Sequence, residues 1–135
     1  MPLKPCVLSQ ILIDETAEQQ IVFIAERHGG RRIPIVIGQH EALAIDRAVK
    51  GQAFSRPLTH DLIANLMDRF GLKIDEIRIN NFKDGVFFAE LALHGPDGTA
   101  TVIDCRPSDA LAVLVRRPGT PLMVADTVLD EAGNP

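Results

Sequence analysis

The sequence predicts an α+β fold: duplicated βββα units forming a mixed, curled sheet with about three helices. Three observations carry that expectation. Strand-length apolar runs and helix-period segments alternate as βββα, a connecting helix, βββα and a last strand. The two unit-ending helices start alike, Glu41-Ala42-Leu43-Ala44-Ile45 echoing Asp109-Ala110-Leu111-Ala112-Val113. The chain has 135 residues, 46% of them hydrophobic, which suffices for one domain with a real core.

Taken in order, Val7-Leu8 and Ile11-Leu12-Ile13 predict a first strand, and Ile21 to Ala25 a second. His28-Gly29-Gly30 reads as a hairpin turn in which glycine supplies positive φ. Arg32 to Ile37 predicts a third strand, and Gln39 to Val49 a helix stopped by Gly51. Thr59 reads as the N-cap of the next helix, with Leu58 stapling onto Ile63. Its apolar face is Leu62, Ile63, Leu66, Met67 and Phe70, and Gly71 ends it.

Ile74 to Asn81 and Val86 to Leu93 then read as strands joined at Lys83-Asp84-Gly85. Thr101 to Asp104 is a strand, Pro107 to Val115 a helix, and Leu122 to Val124 a last strand. The run Ala110 to Val115 is apolar all round, so either the sheet curls over it or a second subunit covers it. Residues 126–135 read as a frayed tail.

A net charge of −4 is a poor starting point for non-specific duplex binding, and with neither Trp nor Tyr only Phe remains as a base-stacking platform. Arg27, Arg31 and Arg32, and also Arg116 and Arg117, read as solvated turns. Two cysteines make neither a disulfide framework nor a zinc site. No leader-like or membrane-spanning run is visible, so the expected location is the cytoplasm. The absence of a Walker A loop and a Gly-x-Gly-x-x-Gly run argues against a nucleotide cofactor.

The corner Asp104-Cys105-Arg106-Pro107-Ser108-Asp109 crowds two carboxylates, an arginine and a serine between a strand and a helix. Pro107 suits the first helical position, and Ser108 or Arg106 is available as the cap. Asp109 falls in the first turn, where the dipole favours its charge. From these residues alone, capping is a simpler reading than catalysis. His60 and Asp61 at the second helix start, and His40 and Glu41 at the first, are further candidates. Converged, these side chains have donors enough for a divalent cation, although no familiar ligand spacing is present. Cys105 reads as a small apolar residue.

Together Ile33-Pro34-Ile35-Val36-Ile37-Gly38, Glu41-Ala42, Arg56 to Leu62, Lys83 to Ala89 and Asp104 to Ala110 resemble the bifunctional nuclease domain family. The resemblance implies a single domain over residues 1–125, cleavage of DNA and RNA, and a wedge-shaped homodimer with a groove at its thick end. Mapped onto it, Glu41, His60, Asp61, Asp104 and Asp109 are the catalytic candidates, and Arg56, Arg106 and Ser108 the substrate-binding ones. Glu41, Asp104 and Asp109 are the candidate ligands for Mg²⁺ or a similar ion. Nucleic acid is then the partner, held weakly and with strong salt dependence, and no membrane partner is implied. The alternative is a dimeric, non-enzymatic module that binds a small anion, a metabolite or a protein in the same groove.

Overall fold

A computed structural model describes residues 2–52 and 54–133. Its elements run β1 (Leu3–Leu12), β2 (Gln19–Glu26), β3 (Arg32–Gly38), α1 (Gln39–Val49), α2 (Thr59–Arg69), β4 (Lys73–Lys83), β5 (Val86–His94), β6 (Ala100–Cys105), α3 (Pro107–Leu114), β7 (Leu122–Ala125) and α4 (Asp126–Ala132). The strands form one mixed sheet in the order β3-β2-β1-β7-β4-β5-β6. Each half is an antiparallel meander. β7 joins them, antiparallel to β1 and parallel to β4. The fold is α+β, with the element order the sequence implies and a fourth helix that it does not.

Alternation explains the sheet. Ile33, Ile35 and Ile37 of β3 are buried and their neighbours are not, as are Ile77 and Ile79 of β4. These residues join Ala42 and Ile45 of α1, Met67 of α2, α3, and Val128 and Leu129 of α4 in one core. The β4–β5 turn is the tight hairpin expected, with Asp84 at φ 53° and Gly85 at φ 78°. The β2–β3 turn differs from expectation. Gly29 and Gly30 are not among the positive-φ residues. The turn is instead closed by Arg31, whose Nε and Nη2 each donate to Glu26 at 2.9 Å.

α1 and α2 end alike. Gly51 and Gly71 both have φ 69°. Gln52 N–H donates to Arg47 O, and Leu72 N–H to Met67 O, which closes each helix in a Schellman turn. α3 is covered by its own chain, packed against α1, α2, β4 and β5. Leu111 is fully buried there, worth roughly 1.5–3 kcal/mol.

Three further expectations need correction. Residues 126–132 of the supposed tail are helical, because Val128 and Leu129 fill the core and Arg31 pairs with Asp126 and Asp130. Thr59 is the first helical residue and Leu58 the N-cap, since Asp61 Oδ2 accepts the Leu58 N–H at 2.9 Å. The apolar stripe of α2 is not all core: Ala64 and Met67 are buried, whereas Leu62, Leu66 and Phe70 are exposed. Among the described residues no helix is long and apolar enough to cross a membrane.

Candidate active site

Three helix starts converge. Glu41 lies in the first turn of α1, His60 in that of α2 and Asp109 in that of α3. β3 and β6 deliver the first and third of these starts. The centre is Asp109. Its Oδ1 is 2.9 Å from His60 Nε2, its Oδ2 accepts from Arg106 Nε at 3.0 Å, and Arg106 Nη2 reaches Oδ1 at 3.3 Å. Arg106 Nη1 also donates to Glu41 Oε1 at 3.3 Å.

α3 carries no side-chain cap bond: its N-cap is Arg106, with Pro107 at the start as expected. The Asp109 carboxylate is therefore turned toward His60 and Arg106 rather than used to close its helix. Burial raises the Asp109 pKa, but hydrogen bonds and charge from Arg106 and His60 outweigh that and leave it below the ordinary carboxylate value. An ionised carboxylate only accepts, so this contact places a proton on His60 Nε2, which in a neutral imidazole leaves Nδ1 as the acceptor.

Asp61 stands next to His60 but does other work. Its Oδ2 caps Leu58 and its Oδ1 accepts from Arg116 Nε at 2.7 Å. The Leu58 N–H first, and then Arg116, lower its pKa. Arg116, with a side chain only 9% exposed, also donates to Ala44 O and Ala112 O. Arg117 donates to Ala64 O and pairs with Asp68. These two arginines are not solvated: they tie the end of α3 to α1 and α2 and so hold His60 beside Asp109. The sequence signal was their place at a helix C-terminus, where cations meet free carbonyls.

Other candidates fall elsewhere. Asp104 is exposed on β6, paired in register with Glu90, and makes no bond to the cluster. Arg56 is exposed before α2 and takes no part in the cluster's bonds. Ser108 is buried on the other side of the corner, lining a 530 Å³ cavity with β3 and the β4–β5 hairpin. Among the described residues no three His, Cys, Asp or Glu side chains gather as metal ligands, so Glu41, Asp104 and Asp109 do not form the expected set. Burial, with Asp109, Asp104 and Glu90 nearby, pushes the Cys105 thiol up to about 11, which leaves it protonated and unsuited to be a nucleophile.

His60, Asp109, Arg106 and Thr59 stand on the wall between two cavities. One is a polar cleft of 330 Å³ that also includes His40, Glu41 and Arg47. The other, 520 Å³, runs under α2 and is lined mainly by apolar residues of α2, β5, β6 and α3. Compared with known proteins, residues 22–135 match the bifunctional nuclease domain. The chain belongs to this family. A bifunctional nuclease 2 of Oryza sativa is 26% identical over 77% of this chain and 33% of its own length. A bifunctional nuclease 2 of Arabidopsis thaliana is 26% identical over 71% and 30%. The chain thus spans about a third of these plant proteins. An uncharacterized protein of Mycobacterium tuberculosis is 37% identical over 91% of this chain and 72% of its own length. In this bifunctional nuclease domain the matched span includes α4.

Proposed function

We propose that this chain is a nuclease that hydrolyses phosphodiester bonds of DNA and RNA at the His60–Asp109–Arg106 cluster. The observation that carries the reading is the 2.9 Å contact between His60 Nε2 and an ionised Asp109, at a cleft in a bifunctional nuclease domain. Asp109 orients the imidazole and stabilises its charged form. His60 Nδ1 takes a proton from water, and the water oxygen bonds to phosphorus as the bond to the leaving oxygen breaks. The proton then passes to the leaving alkoxide. Arg106 faces the non-bridging oxygens, where a planar cation suits the developing charge. Glu41 and Asp109 hold its guanidinium in place. No ligand set is gathered among the described residues, and no step is routed through a metal.

The same reading includes a cytoplasmic homodimer. Both cysteines are free, which suits a reducing compartment. The Leu62, Leu66 and Phe70 stripe is left uncovered by the chain's own fold, which suits a second subunit. The test is cleavage of DNA and RNA by stringently purified protein, with and without a chelator. Activity that co-purifies with the protein and survives the chelator is expected. Activity that separates from the protein overturns the proposal, and loss on chelation overturns its metal-free form. A second reading, a non-enzymatic module for a small anion or metabolite, is favoured over nucleic acid by the net charge of −4 and the absence of Trp and Tyr. It predicts stabilisation by ligand without turnover.

A further inference from the structure

The 520 Å³ cavity under α2 is not used by the mechanism above. Its walls are Ile63, Met67, Leu72, Leu91, Leu93 and Ile103, with Ala110 and Val113 at its back. Its size lies within the ~300–1,000 Å³ of small-molecule sites. The polar groups on it are Thr59, His60, Arg106 and Asp109, which are also the wall of the cleft. A ligand that fills both spaces is therefore an apolar body attached to an anion. The body sits among aliphatic side chains, and the anion faces Arg106.

We propose that this cavity receives the base of the nucleotide being cleaved, and that the substrate is consequently single-stranded nucleic acid. The assignment rests on the nuclease reading and names its substrate class. A base in a duplex is stacked and paired, and reaches such a cavity only by leaving the stack, at a cost least for a strand already unpaired. Aliphatic walls bury the faces of a base without reading its edge. Inside the cavity the hydrogen-bonding side chains are few: beyond the shared wall of Thr59, His60, Arg106 and Asp109 the lining adds the protonated Cys105 thiol. The site accordingly accepts any of the bases. It also supplies, away from the sparse surface cations, the grip that a chain of net charge −4 without Trp or Tyr otherwise lacks.

Three substrates of equal length test this: a single strand, the matching duplex, and a single strand whose sugars carry no bases. The single strand should be cut about tenfold or more faster than either of the others. Ile103→Trp, at a half-exposed position on the rim, should lower single-strand cleavage about tenfold while the melting temperature holds. Equal cutting of base-bearing and base-free strands, or of single strand and duplex, overturns the cavity assignment and leaves the nuclease reading standing. If nothing is cut, the nuclease reading fails and thermal shift decides the cavity. Stabilisation by nucleoside 5′-monophosphates but not by deoxyribose 5-phosphate, and lost in Ile103→Trp, supports it. Equal shifts, or none, overturn it.

Discussion

Asp61 and Asp109 occupy the same place in neighbouring helices, each an acid in a first turn, yet the fold uses them oppositely. Asp61 closes its own helix through the Leu58 N–H and is held by Arg116, a guanidinium 9% exposed and bonded to two backbone carbonyls. Asp109 closes no helix. It binds His60 and Arg106, and that arginine is 64% exposed at the junction of three cavities. An acid at a helix start is thus distinguished by its partners: Asp61 fastens its helix, and Asp109 is the one the proposed reaction uses.

Several changes would break or sharpen that contrast. The largest effect is expected on the fastener side. Arg116→Ala takes the guanidinium from Asp61 and a donor from two carbonyls, for about 3 kcal/mol in chemical denaturation. A loss below ~0.5 kcal/mol would deny Arg116 that role. On the chemical side, His60→Gln keeps a donor for Asp109 but removes the proposed base, so turnover should fall about 100-fold with the melting temperature nearly unchanged. Arg106→Lys keeps the charge but not the fork that spans Asp109 and Glu41. A milder fall, about tenfold, is expected in kcat/KM.

The smallest effect is in acid. Both folded carboxyls lie below their ordinary value, Asp61 through Leu58 N–H and Arg116, and Asp109 because Arg106 and His60 outweigh its burial. As pH falls from the ordinary carboxylate range toward these lowered values, the unfolded chain binds protons first. Stability present above that range is therefore lost through it. Asp61→Asn should flatten this limb in an acid-denaturation curve, by less than ~1 kcal/mol given the exposure of the carboxylate.

Local pattern made part of this legible. Strand alternation, the Asp84-Gly85 hairpin and the glycine helix stops depend on neighbours in sequence, and they form as read. The contacts that decide the site are long-range. His60 meets Asp109 across 49 positions, and Asp61 meets Arg116 across 55. Arg31 looked solvated because its partners Asp126 and Asp130 lie 95 and 99 residues away, and the same distance hid α4. The α2 stripe shows a further limit: periodicity identifies Leu62, Leu66 and Phe70 as one apolar face but not whether the chain itself covers it.

The central claim is that Asp109 is chemical where Asp61 is structural. It is tested most directly by Asp61→Asn and Asp109→Asn side by side, with melting temperature and nucleic-acid cleavage measured on the same preparations. Asp109→Asn should lose about 100-fold in turnover with little change in melting temperature. Asp61→Asn should melt lower and, below its transition, retain turnover within about tenfold. Full activity with a lowered melting temperature in Asp109→Asn would contradict the account.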